Sequence, residues 1–368
     1  MNKKIIISAG GTGGHIYPGL AVAQALKNLL PDCEITFVGS YVGIEKDIIP
    51  DYGYPMRLIH ARGFEKGRAD QYIDATKAIF NCRKEAAELL KEMQPDIVIG
   101  TGGFTGAMLL FEAARQKIPT LIHEQNSYPG RANRLLGKMV DRIGITFESS
   151  AKYFPKNKIV RTGNPVREIF KHIDRNALRE KLQLKPDQQL ILATGGSQGA
   201  GSINRAMLSY IETADLTNKV IYLLTGEDTY QEVLKTLAEK NIPADSENLH
   251  VLEYSNDMDT LLGAADLVVS RAGATSISEI AAVGAPAILV PFPRAAGDHQ
   301  TTNARAIADL GGAVIIKDDA LSGPRLKQTI ESLLKNPRRL ASMGKAAGQF
   351  GNINADIAMA NEAVALMA

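Results

Sequence analysis

The sequence is poor in cysteine and carries almost no net charge. Cys33 and Cys82 are the only two cysteines among 368 residues, which excludes a disulfide framework and matches no metal-ligand spacing. So few cysteines are typical of a protein from a reducing cytoplasm. The net charge is +2, with 42 basic and 40 acidic residues, so we expect no nucleic-acid partner from overall charge.

Long apolar runs and several catalytic motifs are also missing. No apolar stretch approaches the ~20 residues of a membrane-spanning helix, and the N-terminus lacks the apolar core of a signal peptide. Any contact with a membrane is therefore expected to be peripheral. The sequence has no G-x-S-x-G elbow, no C-x-x-C pair and no Walker lysine after a glycine loop.

A glycine-rich loop near the N-terminus is the most informative stretch. Isoleucines at 5–7 predict a buried strand, four glycines between 10 and 14 predict a turn, and residues 17–30 predict a helix. Glycine turns expose backbone amides and a helix N-terminus adds partial positive charge, so this loop is suited to phosphate. His15 lies at the edge of the loop, where its imidazole would face the ligand. The alternative is a tight turn without a ligand.

The same pattern of strand, glycine turn and helix start occurs at two further places, GGFTGA after residue 101 and GGSQGA after residue 194. Short apolar runs alternate with helical stretches throughout, which predicts βαβ units, parallel sheets and ligands at the carboxyl ends of the strands. Helices are predicted at 17–30, 73–93, 105–116 and 130–138. The predicted strands are residues 4–8, 34–38, 56–59, 96–100, 119–123 and 142–146, then 189–193, 219–224, 249–253, 266–270, 287–290 and 313–316. The alternation of strands and helices is interrupted at residues 163–165, which predicts an interdomain linker there.

The first loop is a poor match to a dinucleotide-binding fingerprint. GGTGGH differs from G-x-G-x-x-G, and no acidic residue marks the end of the second strand. Glu45 is the nearest one and lies some way past that strand. A nicotinamide oxidoreductase is therefore poorly supported.

Polar side chains follow a strand of the first half. His123, Glu124, Gln125 and Asn126 sit at a predicted carboxyl end, where polar groups are costly unless a ligand or water meets them. His123 has an equally weighted alternative as a core histidine that holds Glu124.

The second half has its own polar candidates. A helix N-terminus is predicted at 274–276, and Glu279 one turn later could accept two hydrogen bonds from a ribose diol. The alternative is a capping box of Thr275 or Ser276 with Glu279. Residues 298–300 offer donors and acceptors for sugar hydroxyls before a helix near Thr301. The aspartates at 257 and 259 fit a helix cap better than a metal site, and we expect no metal.

Residues 62–91 interleave basic and apolar side chains. Such a stretch could dock on anionic lipid, and the alternative is an amphipathic helix whose apolar face is core. Its members are Arg62, Lys66, Arg68, Lys77, Arg83 and Lys84 among the bases, with Phe64, Tyr72, Ile73, Ile79 and Phe80 among the apolar residues.

Seven motifs in this order resemble the MurG family of bacterial glycosyltransferases, within glycosyltransferase family 28. They are GGTGGH, GGFTGA, HEQN, TGNPVR, GGSQGA, SRAGATSISE and DHQTTNA, and they span nearly the whole chain. The resemblance implies an α/β GT-B fold, with two Rossmann-like parallel-sheet domains facing across a cleft. Residues 1–165 plus 346–368 would form the acceptor and membrane-facing domain, and residues 166–345 the donor domain.

The resemblance also implies an activity. It is inverting transfer of N-acetylglucosamine from UDP-GlcNAc to the muramoyl-pentapeptide of lipid I, giving lipid II for peptidoglycan, without a cofactor or metal. Implied partners are UDP-GlcNAc, lipid I, an anionic membrane surface at the cytoplasmic face of the cell membrane and other cell-wall synthesis proteins. Two alternatives stay open: another GT-B enzyme using a UDP-sugar, namely a soluble glycosyltransferase or a UDP-GlcNAc 2-epimerase, and a non-catalytic nucleotide-sugar binding module.

Specific residues follow from the same resemblance. His15 is the first candidate for the general base and Glu124 the second, with Asn126 near both substrates. Phe104 stands where the family usually has tyrosine, so a role that needs the phenol is in question. Acceptor diphosphate contacts are expected from Gly11, Gly14, Gly103 and Thr105. Donor contacts are expected from Thr12, Gly13, Gly14, Asn126, Arg167, Ser197, Ser255, Ala274, Thr275, Ser276, Glu279, Gln300 and His299.

Overall fold

The chain forms two compact units, each built on a seven-stranded sheet. The computed structural model describes residues 2–61, 71–196 and 198–368, without the side chains of 71–77. One unit comprises Met1–Arg167 with Asn352–Ala368, and the other comprises Glu168–Gly351. The predicted α/β class with two parallel-sheet Rossmann-like units is confirmed.

The first sheet is parallel throughout, in the order β3-β2-β1-β4-β5-β6-β7. Six of its strands coincide with the predicted ones to within a few residues. The edge strand β7 was not predicted, because three residues are too few to show a pattern. The strands are β1 (Lys4–Ala9), β2 (Glu34–Ser40), β3 (Met56–Ile59), β4 (Ile97–Gly102), β5 (Thr120–Glu124), β6 (Arg142–Ile145) and β7 (Ile159–Arg161).

The second sheet has the order β10-β11-β9-β8-β12-β13-β14 and is parallel except at one edge. There β10, a two-residue strand that the sequence did not predict, pairs antiparallel with β11. The strands are β8 (Gln189–Thr194), β9 (Lys219–Leu224), β10 (Asp245–Ser246), β11 (Leu249–Leu252), β12 (Leu267–Ser270), β13 (Ala287–Leu289) and β14 (Ala313–Ile315).

Helices connect the strands, as a parallel sheet requires. Those of the first part of the chain are α1 (Gly13–Leu29), α2 (Glu45–Asp51), α3 (Gln71–Met93), α4 (Phe104–Arg115) and α5 (Arg131–Leu136). The later ones are α6 (Arg175–Lys181), α7 (Gly201–Thr213), α8 (Glu227–Glu239), α9 (Met258–Ala264), α10 (Ala274–Val283), α11 (His299–Ala308), α12 (Gly323–Leu334), α13 (Pro337–Ala347) and α14 (Ala355–Leu366). None of the helices in the described ranges is long and apolar enough to cross a membrane.

Helices cover both faces of the first sheet. Ile5 and Ile7 of β1 pack into a core with α1 and α14, whereas Ile6 between them packs into a second core with α3 and α4. Successive side chains of a strand point to opposite faces, so a strand buried on both faces reads as a continuous apolar run. That is why three consecutive isoleucines fit β1.

The chain passes between the units twice. The first passage follows Arg167, close to the predicted linker, and the second follows Gly351 rather than residue 345. The difference arises because α13 continues to Ala347, which lies against Gly312 of the second unit. Only α14 and the residues just before it return to the first unit.

Each sheet has a switch point, where the strand order reverses direction. In the first sheet this point lies between β1 and β4, and in the second between β8 and β12. Loops at the carboxyl ends of the strands diverge there and leave a crevice, which is where open α/β sheets bind ligands. The first two glycine loops follow β1 and β4, and the third follows β8.

Candidate active site

The first glycine loop leads into α1 four residues earlier than predicted. α1 begins at Gly13 instead of residue 17, so Gly13 and Gly14 form its first turn together with His15. The sequence suggested a turn because glycine disfavours helices. Gly11 has a φ of +91°, a conformation that favours glycine. The predicted loop therefore consists of Gly11 in a conformation that suits glycine, followed by Thr12 as the N-cap of α1.

His15 is half-buried, and its orientation is set by a hydrogen bond. Its Nδ1 lies 2.8 Å from the carbonyl oxygen of Gly10. A carbonyl only accepts, so Nδ1 carries the hydrogen and Nε2 keeps the lone pair. Burial lowers the pKa of His15, although the Gly10 carbonyl and the Glu45 carboxylate oppose this. A neutral imidazole with a basic Nε2 at neutral pH is the form that a general base needs.

The first and second glycine loops touch at the switch point. Gly10 N–H approaches Gly102 O at 3.5 Å, and a Cβ on Gly103 would lie 2.6 Å from the carbonyl oxygen of Gly10. Gly103 also has φ +91° and ψ +158°, a region that is essentially restricted to glycine. The predicted acceptor residue Thr105 is buried in the first turn of α4. This places Gly103 against Gly10 and Gly102 against the His15 ring, with Thr105 in the helix turn that follows.

Glu124 is buried at the end of β5 and is surrounded by donors. Its carboxylate accepts hydrogen bonds from Asn126 N at 3.0 Å, Asn133 Nδ2 at 2.9 Å and Gly130 N at 3.3 Å. The Asn126 side chain donates to it as well. Burial raises the pKa of Glu124, and these hydrogen bonds partly offset the increase. Glu124 thus orders the loop that carries Asn126.

His123 is a core histidine, as one of the two alternatives predicted, but its ring binds Gly163 and not Glu124. It is fully buried, and its Nε2 lies 2.8 Å from the Gly163 carbonyl oxygen, to which it donates. Burial lowers the pKa of His123 to about 4, despite this hydrogen bond. His123 therefore stays neutral at physiological pH and anchors the end of the first unit.

Side chains of neighbouring strands join the predicted polar cluster to His15. Gln125 Nε2 donates to the Thr101 carbonyl oxygen, and Thr101 Oγ1 donates to the His15 carbonyl oxygen at 2.7 Å. The Arg167 guanidinium lies 5.1 Å from the centre of the Tyr17 ring, next to the same helix turn. The structure thus brings the predicted residues of the first unit together at one edge of its sheet.

In the second unit, the third glycine loop closes over the end of β8. Gly196 N–H donates to Thr194 Oγ1 at 3.1 Å, and Gly199 N–H donates to the Gly196 carbonyl oxygen at 2.9 Å. Gly199 has φ +77° and lies against the backbone of Thr225, which leaves no room for a side chain. The predicted donor residue Ser197 lies outside the described residues.

The predicted helix N-terminus after β12 is confirmed. α10 begins at Ala274, and Gly273 is its N-cap. The alternative capping box of Thr275 or Ser276 with Glu279 is therefore wrong. Thr275, Ser276 and Glu279 are all partly accessible in the first turns of α10. β8 and β12 are neighbours, so α10 begins beside the third glycine loop.

Three further donor candidates lie at the same edge of the second sheet. Gln300 Oε1 accepts from Ala272 N at 3.1 Å and Phe292 N at 2.9 Å, which ties the ends of β12 and β13 together. His299 begins α11, two residues before the predicted start, and its Nδ1 lies 2.9 Å from the Ala296 carbonyl oxygen. Ser255 Oγ accepts from Asp257 N at 3.1 Å, after β11.

The aspartates at 257 and 259 belong to a helix start. Asp257 is the N-cap position of α9, and Asp259 lies in the first turn of that helix. This agrees with the predicted cap. In the described part of the chain, no group of three His, Cys, Asp or Glu side chains is placed to hold a metal ion.

Sequence reasoning missed two groups of residues near the glycine loops. Glu45, at the start of the unpredicted helix α2, is buried and hydrogen-bonded to Gly11 N. In the second unit, Arg271 Nη1 donates to Asp318 Oδ1 at 2.5 Å, and Arg271 Nη2 donates to Oγ of Ser202 on α7 at 3.0 Å. Burial would raise the pKa of Asp318, but the hydrogen bonds from Ser202 and Arg271 outweigh it and lower the pKa. Neither group forms a sequence motif, since its members are far apart in the chain.

The chain matches known proteins along almost its whole length. A model of the "Glycosyltransferase family 28 N-terminal domain" matches residues 5–145, and one of the "Glycosyltransferase family 28 C-terminal domain" matches residues 190–359. A relative from Acetivibrio thermocellus is 42% identical over 355 residues, covering 96% of this chain and 95% of the relative. It is named UDP-N-acetylglucosamine--N-acetylmuramyl-(pentapeptide) pyrophosphoryl-undecaprenol N-acetylglucosamine transferase.

A relative of the same name from Halothermothrix orenii is 40% identical, with 95% of both chains covered. Solved structures give the same picture. The crystal structure of Acinetobacter baumannii MurG is similar with a TM-score of 0.75 and 29% identity, over 99% of both chains. A putative UDP-N-acetylglucosamine 2-epimerase from Listeria monocytogenes has a TM-score of 0.70 at 16% identity, covering 97% and 94% of the chains. The last likeness shows the fold alone.

Proposed function

Because the chain belongs to glycosyltransferase family 28, we propose that it transfers N-acetylglucosamine from UDP-GlcNAc to the muramoyl-pentapeptide of lipid I. The product is lipid II, for peptidoglycan synthesis. The observation that carries this proposal is the pair of touching glycine loops at the first switch point, with the basic Nε2 of His15 beside them. A phosphate site next to a neutral imidazole suits a diphosphate-linked acceptor that must lose a proton.

We assign the donor to the second unit. The N-termini of α7 and α10 lie at the ends of the adjacent strands β8 and β12, where backbone amides would meet the UDP diphosphate. Ala274, Thr275 and Ser276 would line that site. Glu279, one turn into α10, would bind the ribose, and Ser255 would lie towards the uracil. Ser197 remains a prediction.

The sugar contacts follow from the way Gln300 is held. Its Oε1 binds two backbone amides, which orients its NH₂ group as a donor for a sugar hydroxyl. His299 beside it would bind a second hydroxyl. Thr12, Gly13, Gly14, Asn126 and Arg167 remain predicted donor contacts. Gly11, Gly14, Gly103 and Thr105 are proposed for the acceptor diphosphate, with Gly11 offering open space and not its N–H, which donates to Glu45 Oε2.

The reaction is an inverting substitution at the anomeric carbon. The acceptor hydroxyl oxygen forms a bond to that carbon while the bond to the UDP oxygen breaks, and the hydroxyl proton passes to His15 Nε2. UDP leaves with increased negative charge, which amides at the helix N-termini and Arg167 would stabilise. Glu124 is the less suitable base, because its carboxylate is already bound by several donors.

Turnover of labelled UDP-GlcNAc tests this function. With a lipid I analogue, we expect label in a lipid product and one UDP released for each sugar transferred. Without the acceptor, a transferase leaves nearly all of the UDP-GlcNAc intact. A 2-epimerase would instead form UDP-N-acetylmannosamine without any acceptor, and a binding module would turn over nothing. Either result would contradict the proposal.

We also propose that the first unit docks on the cytoplasmic face of an anionic membrane, since the acceptor is lipid-linked. α3, α4 and α5 cover the same face of the first sheet, and Phe80 and Leu135 project from it with 67% and 70% exposure. Exposed Lys84 and Lys138 flank them. Of the predicted basic–apolar segment at 62–91, residues 62–70 lie outside the described residues, and residues 71–77 are described without their side chains. Contacts with other cell-wall synthesis proteins remain a prediction.

Arg83 is unsuitable for testing this docking surface, although it belongs to the predicted segment. It pairs with buried Glu112 at 2.6 Å and stacks 4.6 Å from the Phe111 ring, so reversing its charge would break a buried ion pair.

The two exposed apolar side chains give a cleaner test of the docking surface. We expect the double variant Phe80→Ser with Leu135→Ser to reduce sedimentation with anionic vesicles by about tenfold.

The docking test has a matched control. Leu310→Ser removes a 45% exposed leucine from the second unit and should leave sedimentation unchanged. Neutral vesicles should bind less protein than anionic ones. Equal sedimentation of the double variant and the unaltered protein, or indifference to anionic lipid, would contradict the docking surface.

A further inference from the structure

Glu45 is a buried carboxylate that takes no direct part in the proposed reaction. It is 1% exposed, and its two oxygens each accept a backbone hydrogen bond. Oε1 accepts from Ser40 N at 2.9 Å, and Oε2 accepts from Gly11 N at 3.0 Å. Two N–H donors, one to each oxygen, match an ionised carboxylate. No lysine or arginine in the described ranges forms a salt bridge with it.

Glycines make the space that this carboxylate occupies. A Cβ on Gly10 would lie 2.7 Å from Glu45 Oε1, and a Cβ on Gly39 would lie 2.6 Å from Glu45 Cγ. A Cβ on Gly43 would overlap the carboxyl group itself. Part of the glycine content around the first loop therefore serves Glu45 rather than a phosphate.

One peptide group joins Glu45 to His15. The N–H of Gly11 and the C=O of Gly10 belong to the same planar peptide, and they point in opposite directions. The N–H donates to Glu45 Oε2, and the C=O accepts from His15 Nδ1–H at 2.8 Å. The carboxylate and the imidazole are thus connected through two hydrogen bonds and one polarisable peptide.

We propose that Glu45 is a positioning residue which, through the Gly10–Gly11 peptide, fixes the tautomer of His15 and increases the affinity of its Nε2 for a proton. A negative charge at the N–H end makes the carbonyl at the other end a stronger acceptor, because hydrogen bonds in a chain polarise one another. The carbonyl then favours the tautomer with hydrogen on Nδ1. This inference rests on the proposed role of His15 as the base.

The surroundings of His15 are consistent with this role. In the described structure, Glu45 on α2 and His123 on β5 are the titratable groups that act electrostatically on the His15 ring. His123 is neutral at physiological pH, which leaves Glu45 as the negative charge that opposes the effect of burial on the pKa of His15. The ring also packs against Gly102, where a Cβ would lie 2.5 Å from it. Its orientation is thereby restricted on two sides.

Glu45→Gln tests the proposal, because it keeps the size of the side chain, removes its charge and leaves one acceptor oxygen for the two N–H donors. We expect kcat to fall about tenfold, and we expect the acid limb of kcat/KM to move to lower pH, since losing a negative charge lowers the pKa of His15. The imidazole titration, followed by NMR, should move in the same direction. Glu45→Asp, which keeps the charge, should restore much of the original pH profile.

Glu112→Gln is the matched control. It removes another buried carboxylate from the first unit, one that is paired with Arg83 and Arg115. It should lower the melting temperature without moving the titration of His15. If Glu45 had only a structural role, Glu45→Gln would likewise lower the melting temperature and leave the titration of His15 unmoved.

A measurement on the unaltered protein covers the case in which Glu45→Gln does not fold. The amide proton of Gly11 should shift during an acid titration with the same midpoint as the His15 imidazole, because both bind one peptide. A Gly11 amide that ignores the His15 titration would overturn the relay. That outcome differs from a failure of the proposed function, in which sugar transfer itself would be absent.

Discussion

Replacing His15 with alanine is expected to lower kcat by about 100-fold or more, with nearly unchanged binding of UDP-GlcNAc. The variant removes the Nε2 that would accept the acceptor proton. It leaves the third glycine loop and α10 intact, since both belong to the other unit. Steady-state transfer to a lipid I analogue gives kcat, and calorimetric titration with UDP-GlcNAc gives the donor Kd.

His60→Ala is the control for losing a histidine from the same unit. The His60 side chain is 71% exposed and contacts Glu85 and the Tyr41 ring. Its turnover should equal that of the unaltered protein. Unchanged turnover in His15→Ala, with a large loss in Glu124→Gln, would transfer the role of base to Glu124.

Gly103→Ala is expected to destabilise the protein by about 4 kcal/mol and to lower kcat as well. Two costs add here, because the backbone of Gly103 lies in a region reserved for glycine and its new Cβ would lie 2.6 Å from the Gly10 carbonyl oxygen. That carbonyl holds His15, so relieving the collision displaces the proposed base. Urea unfolding measures the first effect, and transfer kinetics at low temperature measure the second.

Gly53→Ala separates backbone strain from collision. Gly53 has φ +77°, but a Cβ there would have no atom within 4 Å. We expect a loss of about 1–2 kcal/mol, from the left-handed conformation alone, with unchanged kcat. If the two variants lost equal stability, the contact between the first two glycine loops would contribute nothing to the stability lost in Gly103→Ala.

Most of the fold could be predicted from the sequence because its strands are buried on both faces. Residues such as Ile5, Ile6 and Ile7 leave little choice of secondary structure. The missed strands, β7 and β10, have three and two residues and depend on a neighbouring strand. α2 was missed because it is short and contains Pro50. α1 begins earlier than predicted because the low helix propensity of glycine does not exclude it from a first turn.

The candidate site was predictable where its residues form motifs, and unpredictable where distant residues meet. His15 and Gly103 lie within glycine loops that a reader of the sequence can find. Their contact through Gly10 depends on β1 and β4 becoming neighbours across about 90 residues, which no local pattern encodes. In the sequence, Glu45 lies too far past the second strand to match a dinucleotide-binding fingerprint. It reaches Gly11 only because α2 folds back.

The return of α14 to the first unit determines when that unit can be completed during synthesis. Met359, Ala360 and Ala363 fill one of its two cores, and Lys3 Nζ donates to the Met367 carbonyl oxygen at 2.8 Å. The ribosome must therefore finish the entire second unit before the first one is sealed. Until then the nascent chain carries an uncovered apolar surface on α1, β4 and β5, a natural target for a chaperone.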